Sequence, residues 1–289
     1  MDARDRTGAA TVLVGIDGSK GSLAALRWAN MLAGEIGLGL RAAMAWSDPD
    51  EAAREASDPV AAMHQRTVAR IADITRSVAC EDVEPLSLHG QPAQTFLEAE
   101  TQADVAMVVV GSRGLGTIPG LLLGSFSRRV LWHTARPLVL IPHTWPALTG
   151  RIEHVLVGTD RSQCAQDAVD WAAGLCAALG ASATVLRCLD PGAELRVGRL
   201  DEINERARVE AYEQCERFRS HGVAYEPIVS NSDPRTEIPT VATATGAGLI
   251  VIGKRGDSQL EAVGGTASYL IRHSPLPLAV IPSPQQPAH

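Results

Sequence analysis

The chain is written twice. Val12-Leu13-Val14-Gly15-Ile16-Asp17 returns as Val155-Leu156-Val157-Gly158-Thr159-Asp160, and Trp28-Ala29 returns as Trp171-Ala172. Gly111-Ser112-Arg113-Gly114 returns as Gly253-Lys254-Arg255-Gly256. Gly124-Ser125-Phe126-Ser127 matches Gly265-Thr266-Ala267-Ser268, and the run from Pro137 to Pro142 matches that from Pro277 to Pro282. Order and register both survive along the whole unit, which chance does not preserve. The chain therefore reads as a duplicated domain, with halves at 1–147 and 148–289 and a joint near His143–Arg151.

Each half is long enough to bury its own core, since a domain of ~150 residues hides ~70% of its chain surface. Hydrophobic residues make up 45% and charged ones 20%, a globular rather than a disordered balance. The formal charge is −7 and no basic run stands out, so a nucleic-acid partner, which needs a positive face, is not expected. Met1–Ala10 lacks the apolar core of a signal peptide, and no stretch of ~18 apolar residues suits a membrane span. Cys80, Cys164, Cys176, Cys188 and Cys215 form no CxxC pair and are odd in number, so buried structural thiols in a reducing, cytoplasmic setting are expected. The histidines follow no HxxxH or HExxH pattern, so no dedicated transition-metal site is expected.

Within the first half, Thr11–Ile16 is a continuous apolar run, as in a strand buried on both faces of a parallel sheet. Lys20–Gly34 carries one apolar stripe at helical spacing and ends before Gly37. A strand at Leu40–Trp46 precedes a polar loop, and Asp58-Pro59 opens a helix running to about Ala79. Strand Pro85–Leu88, helix Pro92–Gln102, strand Val105–Val110, a glycine-rich loop over Gly111–Gly124, helix Ser125–His133 and strand Leu138–Ile141 complete the unit. The second half predicts strands at Val155–Gly158, Thr184–Leu189, Ala224–Val229, Leu249–Ile252 and Leu278–Ile281. Its helices fall at Gln163–Leu179, Glu202–Ser220, Ile238–Thr245 and Thr266–His273. Strands alternating with helices give βαβ units, so the expected fold is two tandem α/β sandwiches, each on a five-stranded parallel sheet.

Open α/β sheets bind ligands at the carboxyl ends of their strands, where strand order reverses. Three segments converge there: Gly15–Asp17, the neighbourhood of Ala45, and the loop Gly111-x2-Gly114-x9-Gly124-Ser125. Gly111 and Gly114 allow close backbone approach and positive φ. Gly124-Ser125 opens a helix whose unpaired N–H groups face an anion, with Ser125 and Ser127 as hydroxyl donors. Asp17 has the wrong charge for phosphate and suits a hydroxylated group such as a ribose. Taken singly, a GxxG is most often a turn, a Ser at a helix start a cap, and an Asp after a strand a turn former. Convergence of three segments, twice over, favours a ligand site. GxGxxG after the first strand is absent, and Gly120-Leu-Leu-Leu-Gly124-Ser125 lacks the spacing and lysine of a P-loop, so no phosphoryl-transfer machinery is assembled.

The strand-Asp-Gly-Ser start, the Gly-x2-Gly-x9-Gly-Ser loop and the ending Ser127-Arg-Arg-Val-Leu-x-His133-x-x-x-Pro137-Leu-Val-Leu-Ile141 resemble the universal stress protein family in its ATP-binding branch. The tandem arrangement is similar to its two-domain actinobacterial members, and the resemblance spans about 10–143 and 152–283. It implies the adenine-nucleotide alpha hydrolase-like, Rossmann-like fold. It also implies ATP as ligand, with Mg²⁺ on the phosphates, and a regulatory role in stress or dormancy through a protein partner not identifiable from sequence. On that likeness Gly15 and Asp17 lie by the nucleoside, Ala45 offers its backbone to the adenine edge, and Gly111 lies by the ribose. Ser112, Arg113, Gly114, Leu115, Gly116 and Thr117 wrap the phosphates, and Gly124, Ser125, Phe126 and Ser127 complete the cradle. The last strands, Leu138–Ile141 and Leu278–Ile281, form the dimer seam, implying an intramolecular pseudo-dimer and leaving a homodimer open. Strong catalysis is not implied. A slow ATP hydrolase or nucleotidyl-transferring enzyme, and an interaction module with vestigial pockets, are the alternatives.

The corresponding residues of the second half are Gly158, Asp160, Gly253, Lys254, Arg255, Gly256, Gly265, Thr266 and Ser268. Its loop is one residue shorter between Gly256 and Gly265, and Asp257 opens it with an acid, whereas Lys254 and Arg255 add positive charge. Two unequal nucleotide sites are expected, the N-terminal one tighter.

Overall fold

A computed structural model describes residues 10–114, 123–146, 150–189, 200–255 and 263–283, with backbone alone at 200–204. The chain divides into two compact units, Met1–Thr149 and Gly150–His289.

The first unit runs β1 (Thr11–Gly15), α1 (Lys20–Ile36), β2 (Gly39–Trp46), α2 (Glu51–Arg54), α3 (Pro59–Ser77), β3 (Val83–His89), α4 (Pro92–Ala99), β4 (Val105–Gly111), α5 (Ser125–His133) and β5 (Leu138–Ile141). Its strands are parallel and ordered β3-β2-β1-β4-β5. The chain moves outward from β1 through β2 to β3, then returns to β1's other side, so order reverses between β1 and β4. That reversal opens a crevice at the carboxyl ends of β1 and β4. All residues of β1 and β5 are buried, and only Ala106 of β4 is partly exposed, which accounts for their unbroken apolar sequences.

The second unit repeats the plan with β6 (His154–Thr159), α6 (Gln163–Leu179), β7 (Ser182–Cys188), α7 (Leu200–Gln214), α8 (Glu216–Ser220), β8 (Tyr225–Ser230), α9 (Pro234–Ala244), β9 (Leu249–Gly253), α10 (Gly265–His273) and β10 (Leu278–Ile281). Its parallel strands are ordered β8-β7-β6-β9-β10. Even the capping repeats. Ser19 accepts the Ser22 N–H at the start of α1, and Ser162 accepts the Ala165 N–H at the start of α6.

Several helix bounds differ from expectation for identifiable reasons. The polar loop after β2 holds the short helix α2, capped by Asp50, whose carboxylate accepts the Ala53 N–H. The helix after Pro92 stops at Ala99 because Glu100 turns inward, its carboxylate taking the Thr134 hydroxyl at 2.7 Å and the Ala135 N–H at 3.0 Å. The segment expected as one helix over Glu202–Ser220 is two, α7 and α8. Cys215 keeps helical dihedrals at the junction, while bonding tightens to Phe218 N–H on Cys215 C=O. Finally, α9 starts at Pro234 rather than Ile238, because Asp233 caps it as Asp58 caps α3, and Pro239 is accommodated inside the helix. Among the described residues no helix is long and apolar enough to cross a membrane.

Candidate functional site

The crevice of the first unit is built by three turns that brace one another. After β1, Asp17 Oδ1 accepts the Ser19 N–H at 2.9 Å, while Ser22 Oγ accepts the Gly18 N–H at 3.1 Å. The turn is thereby tied to α1 before any ligand is considered. After β4, Ser112 N–H donates to Ile141 C=O at 2.8 Å and Gly124 N–H donates back to Ser112 C=O at 2.9 Å. The glycine-rich loop thus leaves and rejoins the fold at one point, and α5 starts there with its first N–H groups toward the crevice.

The cavity so framed has a volume of ≈ 440 Å³, within the range of small-molecule sites. Gly15, Asp17, Ala45, Gly111, Arg113, Gly114, Gly124, Ser125, Phe126 and Ser127 all line it, so most of the sequence-derived set converges. Ser112 does not; it is buried, and its hydroxyl accepts the His143 N–H at 3.2 Å. Leu115, Gly116 and Thr117 lie outside the described residues.

Two expected roles change. Ser127 is buried, and its hydroxyl donates to Gly111 C=O at 2.7 Å, so it joins α5 to the end of β4 rather than offering a proton to the cavity. Gly111 and Gly114 do not adopt positive φ; that conformation belongs to Gly18, at φ 85°. Their requirement is room. A Cβ on Gly111 would come within 2.5 Å of the Gly21 carbonyl carbon, and one on Gly114 within 2.5 Å of Asp17 Oδ2.

Residues not singled out from sequence complete the walls. Phe96 and Phe126 meet edge to face with ring centroids 5.3 Å apart, closing the apolar end beside Gly15. The chain has only three phenylalanines, and two of them serve this cavity, a scarcity that was an available signal. Arg70 reaches in from α3 and makes no ion pair among the described residues, and nothing in its helix periodicity marks it. Arg113 has a buried Nε with no hydrogen-bond partner, and its guanidinium meets His143 Nε2 at 3.3 Å. Burial and the adjacent Arg113 cation both hold the His143 imidazole below its ordinary range. The lining of the cavity therefore combines an apolar slot with two arginines and the first residues of α5. Such a surface suits a flat apolar ring carrying an anionic tail.

The second unit has a smaller cavity of ≈ 250 Å³, lined by Gly158, Asp160, Gly253, Arg255, Gly265 and Thr266 among others. Lys254 is buried outside the lining, Ser268 lies beyond it along α10, and Gly256 is outside the described residues. The register differs from that read in sequence. Lys254 N–H bonds Ile281 C=O and Gly264 N–H bonds Lys254 C=O, repeating the pattern at Ser112 and Gly124. Gly264, not Gly265, is thus the partner of Gly124, and Ala267, not Ser268, occupies the place of Ser127. Between these anchor points lie eleven residues in the first unit and nine in the second, so the loop is two residues shorter, not one. Cys188 lines this cavity, its thiol pushed up to about 12 by burial and by nearby Glu237 and Asp233.

The model of the Universal stress protein family matches residues 9–142 and 151–282. A universal stress protein of Mycobacterium tuberculosis strain H37Rv is 26% identical over 309 aligned positions, covering 96% of each chain. Another from the same strain is 35% identical over 145 positions, covering 46% of this chain and 45% of its own. Among solved structures, a universal stress protein from Archaeoglobus fulgidus DSM 4304 shares 18% identity at a TM-score of 0.68, covering 95% of this chain and 99% of that one, a likeness of fold.

Proposed function

Given that this chain belongs to the universal stress protein family and carries its domain twice, we propose that it is an ATP-binding regulator of a stress response. The observation that carries this reading is the first cavity, whose lining combines an apolar slot with Arg70, Arg113 and the start of α5. Guanidinium groups and the unpaired N–H groups at a helix start both suit phosphate oxygens. The adenine would stack in the slot formed by Phe96, Phe126 and Leu88, with Ala45 offering its backbone to the base edge. Asp17 would accept from the ribose hydroxyls, and the first N–H groups of α5 would share the phosphate charge with the two arginines. Mg²⁺ would arrive with the phosphates and screen their charge.

The same lining argues for holding ATP rather than turning it over. Asp17 is the sole carboxylate among the described lining residues, and one of its oxygens already serves the Ser19 turn. No lysine lines the cavity among the described residues. Among the described residues a general base and a phosphate-clamping lysine, the parts efficient phosphoryl transfer needs, are not assembled there. The bound state would then act by altering what the protein contacts. Denaturing the purified protein and identifying released nucleotide by chromatography tests the reading. It fails if none is released and none binds at millimolar ATP with Mg²⁺.

A further inference from the structure

We propose that one strand position decides which half admits an adenine: Ala43 leaves room for the base in the first cavity, and Leu186, at the same position of the second unit, fills that room. This rests on the reading of the first cavity as an adenine-nucleotide site.

The correspondence is fixed by the sheet. Gly15, at the end of β1, pairs in register with Ala43 on β2, and Gly158, its counterpart in the duplication, pairs with Leu186 on β7. Alternate residues share a face of a strand, so Ala45 stands beside Ala43 and Cys188 beside Leu186. All four line their respective cavities. Two methyl groups therefore floor the first cavity, whereas an isobutyl group and a thiol floor the second. Leu186 is only 1% exposed, so its bulk is spent inside the fold.

The walls differ in the same sense. A Cβ built on Gly15 would lie 3.1 Å from Phe126 and 3.2 Å from Phe96, whereas one on Gly158 would lie 3.1 Å from Ile238 and 3.2 Å from Ile252. Ile238 holds the place of Phe96, and each follows by the same interval the proline that opens its helix, Pro234 in α9 and Pro92 in α4. With Gly264 as the partner of Gly124, Thr266 holds the place of Phe126. No aromatic ring stands among the described lining residues of the second cavity.

A purine is held by stacking on flat faces, and losing one aromatic partner weakens a base about five- to a hundredfold. Branched aliphatic chains offer no such face, and Leu186 takes up depth that a ring would need. The drop in volume from ≈ 440 to ≈ 250 Å³ agrees with this. The loop arginine and the turn carboxylate are kept, Arg255 and Asp160 lining the second cavity as Arg113 and Asp17 line the first. What the second half has lost is the place for the base.

Nucleotide-free full-length protein titrated with ATP and Mg²⁺ by calorimetry is expected to bind one equivalent. Ala43→Leu should weaken ATP about a hundredfold, and ADP by the same factor, because the base common to both loses its room. The cavity can take the added isobutyl group, so the circular dichroism spectrum should not change. Should that variant not fold, Ala43→Val is expected to weaken ATP about tenfold. Leu186→Ala/Ile238→Phe/Thr266→Phe, which rebuilds the slot in the second half, should gain a second, weaker equivalent. No binding to the unaltered protein would overturn the reading of the first cavity and the inference together. Two equivalents in the unaltered protein would overturn the inference and leave that reading standing. Unchanged ATP affinity in a folded Ala43 variant, or a loss that spares ADP, would remove Ala43 from the base slot. A folded triple variant that still binds one equivalent would refute Leu186 as the barrier.

Discussion

The Ser127 hydroxyl donates to the Gly111 carbonyl at 2.7 Å, joining the first turn of α5 to the end of β4. Both groups are buried, so removing the hydroxyl strands a carbonyl in the protein interior. Ser127→Ala should cost ~1–2 kcal/mol of stability by chemical denaturation. Because the proton points away from the cavity, ATP affinity should change by less than about threefold, far short of the tenfold expected for a lost ligand contact. A large loss of affinity without loss of stability would instead make Ser127 a ligand-binding group.

Gly114→Ala should weaken ATP binding about tenfold with the fold intact. The added methyl would sit 2.5 Å from Asp17 Oδ2 and must displace either the loop or the carboxylate. The two positions should therefore be coupled: in an Asp17→Ala background the glycine substitution should cost markedly less, which a double-mutant cycle measures. Asp17→Ala alone should lower ADP and ATP affinities together. A loss confined to ATP would contradict its proposed place beside the ribose.

ATP with Mg²⁺ should raise the melting temperature of nucleotide-free protein by several degrees. A ligand in hundredfold excess over its dissociation constant adds ~2.7 kcal/mol to the native state. Arg113→Ala should remove most of that shift. Absence of any shift in the unaltered protein, at millimolar ligand, would count against a nucleotide site.

Stability should fall as the solution is acidified from pH 7.5 to 5.5, partly through His154. Both ring nitrogens are engaged, Nδ1 with Ser182 Oγ at 2.7 Å and Nε2 with Thr184 Oγ1 at 2.9 Å. Burial is the main cause of its lowered proton affinity, offset in part by Glu226. The unfolded chain binds the proton more readily, at the ordinary histidine value of ~6.5, so acid favours unfolding. The contribution is present above that value and is lost as pH falls through it toward the folded-state value. His154→Gln should flatten the pH dependence in urea denaturation, with a residual slope left by His143, which is shifted in the same direction.

How much of this was readable in advance depends on whether a residue's role is local. The duplication, the parallel strands and the Asp58-Pro59 helix start follow from neighbours in sequence, and they stand in the structure. The second loop's register is ambiguous in sequence because Gly264 and Gly265 are adjacent and Thr266-x-Ser268 imitates Ser125-x-Ser127. Only the hydrogen bond from Gly264 N–H to Lys254 C=O decides between the two glycines. Arg70 gives no signal in sequence, because an exposed arginine on an amphipathic helix looks the same whether it faces bulk water or a crevice.

The bond between Gly124 and Ser112, repeated between Gly264 and Lys254, pins each glycine-rich loop at both of its ends. A segment anchored in that way behaves as an interchangeable cassette. Its length can change without moving the anchors, since doubling the length of a loop costs only ~0.6 kcal/mol in closure entropy. Such architecture gives evolution a place to lengthen, trim or recharge the loop in one copy while the other is left untouched. It also gives the engineer a permissive insertion point for a peptide tag or reporter in the C-terminal copy.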